Sequence, residues 1–77
     1  MASTLGTRIR EARLRKGITQ TELAKLVDVP SHSVISDYER GKRGRKRPDI
    51  VFLLNVAKIL DISPDWLFLG KESNNNK

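Results

Sequence analysis

Residues 17–41, "GITQTELAKLVDVPSHSVISDYERG", constrain the fold most, because they enclose two short helices with a proline-bearing break between them. "TQTE" is a capping box, in which the Thr19 hydroxyl accepts the Glu22 amide while the Glu22 carboxylate reaches back to the Thr19 amide. Leu23, Ala24, Leu26 and Val27 then supply a predicted buried stripe. Pro30 ends any continuing helix, since it has no amide to donate and clashes with the preceding turn. Ser31 is a good cap for a new helix, expected over about His32–Arg40. There Ile35 and Tyr38 point inward with Val34 beside them, while His32, Ser33, Ser36, Asp37 and Arg40 point outward. Gly41 closes it.

The same punctuation recurs along the chain. A first helix is expected over Leu5–Lys16, with Leu5, Ile9 and Ala12 on one face, Leu14 at its flank and Gly17 as a left-handed stop. A fourth is expected over about Asp49–Leu60. Its core face is either Val51, Leu54, Ala57 and Leu60 or Ile50, Leu53, Val56 and Ala57. Being apolar on most sides, it is expected to be the central helix. "SPDW" opens a fifth over about Pro64–Leu69, with Ser63 as cap and Pro64 in the first turn, and Gly70 ends it. No strand-like alternation competes, so the expected fold is all-α, a compact five-helix bundle. The 77 residues make one domain, 5–70, between a flexible start at 1–4 and a disordered tail or linker start at 71–77.

Composition narrows the function. The chain has no cysteine, hence no disulfide and no thiolate zinc site, which fits a reducing cytosol. No apolar run approaches the roughly 20 residues that span a bilayer, and the start lacks the apolar core of a secretion signal. One histidine, no cysteine and no glycine-rich phosphate loop argue against an enzyme. Nothing points to a cofactor, a metal or a small-molecule ligand.

The net charge of +6 suggests nucleic acid, an anionic surface or an acidic partner. Arg40, Lys42, Arg43, Arg45, Lys46 and Arg47 fall within eight residues that include no carboxylate. A solubilising loop would intersperse acids, so the run reads as a clamp on phosphates. A membrane module would carry it on an amphipathic helix with bulky exposed apolar groups, and this run is not on one. The two short helices, split by about four residues, have the spacing of a helix-turn-helix, whose second helix enters the DNA major groove. The outer face of that helix is made of short polar groups that approach base edges, where long Glu and Lys would serve propensity better.

"GITQTELAKLV", "ISDYERGKR" and "LLNVAKILDISPDWLFLG", in that order, resemble the phage repressor and Cro-type (XRE) helix-turn-helix family over about residues 5–70. The resemblance implies a lambda-repressor-like fold, sequence-specific binding of double-stranded DNA and a homodimer on a near-palindromic operator. It implies a transcriptional regulator, a repressor of the phage type, in the cytoplasm of a bacterial or phage-infected cell. A DNA-binding antitoxin or a restriction-modification controller that also takes a protein partner is the alternative. His32, Ser33, Ser36 and Asp37 are the implied base contacts. Asp37 accepts from cytosine or repels wrong sites, and His32 alternatively meets a phosphate. Gln20, Ser31, Arg40, Lys42, Arg43, Arg45, Lys46 and Arg47 are the implied backbone contacts, with Ser31 alternatively a cap only. Arg13 and Glu39 match positions that form a partly buried ion pair. Trp66, Leu67 and Phe68 are candidates for the dimer interface, with core packing the alternative for Trp66. The turn "VDVPSHS" appears one residue longer than the family pattern and the basic loop about three. The chain is either a complete small regulator or the first part of a longer repressor.

Overall fold

The computed structural model describes residues 4–42 and 49–70, and Arg43, Arg45, Lys46, Arg47 and the ends at 1–3 and 71–77 lie outside them. Each of the five helices begins at a side-chain cap. Thr4 opens α1 (Leu5–Lys16) through a capping box with Thr7, and Thr19 opens α2 (Gln20–Leu26) through one with Glu22. Ser31 caps α3 (His32–Glu39), Asp49 caps α4 (Ile50–Leu60) and Ser63 caps α5 (Pro64–Leu69). Helix α3 ends one residue earlier than expected, with Arg40 as its C-cap.

The helix ends share one geometry. After α1, α2, α3 and α4 the chain turns through the left-handed region, at Gly17, Asp28, Gly41 and Asp61, and the next amide donates back to a carbonyl five residues earlier. Val29 donates to the Ala24 carbonyl and Lys42 to that of Asp37, at 3.0 and 2.8 Å. These bonds satisfy carbonyls that the helix leaves without partners.

The core gathers Ile9 and Ala12 from α1, Leu23 and Ala24 from α2, Ile35 and Tyr38 from α3, a face of α4 and Leu67 from α5. Ile9, Leu23, Ile35, Leu53 and Leu67 are essentially sealed from solvent. Each such side chain stabilises the fold by roughly 1.5–3 kcal/mol. Helix α3 packs on α1 and α2, and α4 on α1, α2 and α5.

Three expectations about packing are corrected. Helix α4 buries Phe52, Leu53, Val56, Ala57 and Leu60, which is neither of the two expected faces. It is not enclosed as a central helix either, since Ile50, Val51 and Leu54 remain 50, 70 and 44% exposed. Among the described residues its main helix neighbours are α1, α2 and α5, and the face turned from them stays open. Leu26 likewise lies outside the stripe of α2, 55% exposed at the end of that helix.

Two residues in α1 set how the bundle closes. Gly6 lies against the end of α3 so closely that a β-carbon there would stand 2.3 Å from the Tyr38 carbonyl oxygen. Arg8 is buried, and its guanidinium donates to the carbonyls of Leu67 and Phe68, at 2.8 and 3.2 Å. It thereby satisfies carbonyls at the end of α5, a helix too short to do so itself.

Candidate nucleic-acid interface

The outer face of α3 is built by helical spacing: Ser33, Ser36, Asp37 and Arg40 recur every three or four residues, opposite Ile35 and Tyr38. His32 and Ser33 are exposed at its start, and Ser36 and Asp37 are half-buried further along. The Ser31 hydroxyl accepts from the Ser33 amide and lies 2.6 Å from the Ser33 hydroxyl. Ser31 is therefore occupied as a cap, and its hydroxyl is tied to the side chain beside it.

Three ties fix α3 in the molecule. At its end, Glu39 receives Arg13 in a two-pronged bond, Nε to Oε2 at 2.7 Å and Nη2 to Oε1 at 3.1 Å. Both side chains are buried, 9% exposed for Arg13 and 4% for Glu39. Arg13 also donates to the Ile18 carbonyl in the turn before α2, at 3.0 Å. Attraction and desolvation oppose each other in such a pair, so its net worth is small, but removing one partner costs about 3–5 kcal/mol. Directly before Glu39, Tyr38 stacks on Phe52 of α4 with ring centres 4.7 Å apart. Its hydroxyl accepts from the Asp49 amide at 3.3 Å. The third tie is the Lys42 amide on the Asp37 carbonyl. The described ends of the basic loop are thus both fastened to α3, with Arg40 and Lys42 exposed on its near side.

Gln20, the first residue of α2, is half-buried, and its carboxamide donates to Glu39 Oε1 at 3.1 Å. It therefore belongs to the Arg13–Glu39 cluster, a link that no spacing along the chain could reveal. Arg8 was also missed, because nothing in a basic amphipathic helix marks which arginine turns inward.

The candidates for a dimer interface stand apart from this face. Leu67 is fully buried among the core residues and offers no surface, which corrects its candidacy. Trp66 and Phe68 are half-buried, and the Arg15 guanidinium lies 5.9 Å from the centre of the Trp66 ring. Among the described residues the large apolar side chains that are exposed are Leu14, Leu26, Ile50, Val51, Leu54 and Leu69 instead. Among the described residues no group of three or more His, Cys, Asp or Glu is placed to hold a metal. No helix among them is long and apolar enough to cross a membrane.

Comparison with known proteins gives the arrangement a family. Residues 9–67 match the family described as Helix-turn-helix. The HTH-type transcriptional regulator ImmR of Bacillus subtilis (strain 168) is 36% identical over 74 residues, 96% of this chain and 54% of ImmR. The chain spans about half the length of the first curated relatives it matches. Among solved structures, the P22 c2 repressor in complex with synthetic operator 9T superposes with a TM-score of 0.79 at 37% identity. That match covers 91% of this chain and all of the repressor chain. The restriction-modification controller protein C.AhdI of Aeromonas hydrophila gives a TM-score of 0.73 at 39% identity, covering 83% of this chain and 87% of the controller. With five helices in the same order and a capped α2–α3 pair at its centre, the chain belongs to the helix-turn-helix family of phage-repressor type, a family of DNA-binding regulators and not of enzymes.

Proposed function

We propose that the chain is the sequence-specific DNA-binding part of a transcriptional regulator, with α3 in the major groove of a near-palindromic operator. The observation that carries this is the outer face of α3, four short polar side chains on a helix held at its last two residues and by the loop beyond it. Short side chains bring the helix close to base edges, and the ties keep it in one orientation. Ser36 and Asp37, with His32 and Ser33 before them, read bases. Gln20, Arg40, Lys42 and the loop residues Arg43, Arg45, Lys46 and Arg47 hold the phosphates, and Ser31 is occupied chiefly as the helix cap. A homodimer forms on the DNA, with Trp66 and Phe68 at its contact, in the cytoplasm of a bacterial or phage-infected cell.

The likeness to a restriction-modification controller supports a second reading, in which the same domain serves a controller and not a phage-type repressor. Both readings require the same chemistry from α3. Selection from random duplex DNA tests it. The expected result is an enriched inverted repeat, bound at least ~10³-fold more tightly than random duplex. Half-sites about one helical turn apart are expected if two copies bind with two-fold symmetry. Weak binding with no enriched sequence would contradict the proposal.

A further inference from the structure

We infer that Arg8 is a positioning residue that sets the spacing between two copies of the chain on DNA, by fixing the end of α5 relative to α3. The inference rests on the reading of a dimer with α5 at its contact. It goes beyond that reading by assigning the geometry of the dimer to one buried side chain. Helix α5 has only six residues, too few to be stable by itself, so its direction is set by what grips it. Leu67 is sealed in the core and pins one point, while Trp66 and Phe68 pack on the core only in part. One buried side chain would by itself let the helix swing about that point. Arg8 opposes the swing with a two-pronged grip on consecutive carbonyls. Its Nε donates to that of Leu67 at 2.8 Å and its Nη2 to that of Phe68 at 3.2 Å. Arg8 is itself 7% exposed, so a tilt of α5 that broke these bonds would strip a buried cation of two acceptors, which is costly.

The same stretch of α1 also meets the helix proposed to read bases. Two residues before Arg8, Gly6 lies against the carbonyls of Tyr38 and Glu39 at the end of α3, with no room for a β-carbon. The ends of α3 and α5 are thus both referred to one turn of α1. The angle between the base-facing side chains and the surface of α5 is set through Gly6 and Arg8 together. That surface suits a second copy. Trp66 and Phe68 are half-buried and Leu69 is 66% exposed, while Asp65 is the only charged residue from Pro64 to Leu69. Copies of a chain with net charge +6 repel one another, so an apolar helix that carries no cation is where two can meet.

The test uses half-sites that the unaltered chain selects. One duplex carries a single half-site, and a series carries two inverted half-sites whose separation grows by one base pair at a time. The unaltered chain is expected to prefer one separation sharply. Arg8→Lys keeps the charge but replaces the planar fork with a compact ammonium. It is expected to bind the single half-site within about twofold of the unaltered chain, with the preference for the best separation over its neighbours reduced about tenfold. The bases preferred within a half-site stay the same. Thermal melting is followed in parallel, and affinities are compared at a temperature where both chains are folded. Arg8→Gln, a shorter planar donor without the charge, repeats the comparison if the lysine variant does not fold. Equal losses on single and paired half-sites, or an unaltered preference for separation, would overturn the inference and leave Arg8 a purely structural residue. An unaltered chain that prefers no separation would overturn the dimer reading, and this inference with it, before any variant is made.

Discussion

Gly6 shows how far one missing β-carbon decides the packing of two helices. Its position in the middle of the first turn of α1 favours alanine by about 1 kcal/mol on helix propensity alone. Against this, an added β-carbon would lie 2.3 Å from the carbonyl oxygen of Tyr38 and 2.7 Å from that of Glu39. Both are backbone atoms at the end of α3, which the Arg13–Glu39 pair holds in place, so neither gives way cheaply. The clash wins: Gly6→Ala is expected to destabilise the fold by about 1–2 kcal/mol net, read as a lower urea midpoint followed by Trp66 fluorescence. An unchanged midpoint would mean that α1 and α3 are not in backbone contact. The buried Arg13–Glu39 pair was legible from the family motif, whereas Gly6 and Arg8 were not. A glycine in a helix and one arginine among several carry no mark of the neighbour they meet.

At the scale of the element, the starts of the helices were legible and the faces less so. Thr19 with Glu22, Ser31, and Ser63 with Pro64 are caps by chemistry alone, and the structure finds each where its hydroxyl meets the expected amide. Glycine stops were read at 17, 41 and 70, and all three have positive φ. Asp28 and Asp61 do the same work at φ of 60° and 59°, yet an aspartate before a loop looks like any polar residue. This costs stability, since a β-carbon disfavours the left-handed region. Asp61→Gly is accordingly expected to stabilise the chain by about 0.5–1 kcal/mol, seen as a rise of a few degrees in Tm. A fall in Tm would show that the Asp61 side chain contributes more than its backbone costs. The face of α4 was not legible because only Asn55 and Lys58 interrupt eleven residues, and periodicity cannot choose among so many apolar positions. Its neighbours choose.

For the whole molecule, the proposed function divides the task of binding between the net charge of +6 and the tied helix α3. On that proposal cations set affinity for any duplex, and α3 sets which duplex. Replacing Arg45, Lys46 and Arg47 with alanine is expected to weaken binding to all sequences alike. The slope of log affinity against log salt should flatten by about 0.9 for each residue that meets a phosphate. An unchanged slope would remove the loop from the interface. The outer face of α3 was readable in the sequence because its residues lie on one short helix between two strong signals. The cluster of Arg13, Gln20 and Glu39 joins three helices, and only folding brings Gln20 into it. The measurement that tests the central claim most directly compares the duplexes selected from random DNA by the unaltered chain and by Asp37→Ala. The account predicts a changed base preference confined to the positions under the middle of α3, with affinity for random duplex kept or slightly raised as a negative charge leaves. Identical selected sequences would contradict it, and α3 would not be reading bases through that face.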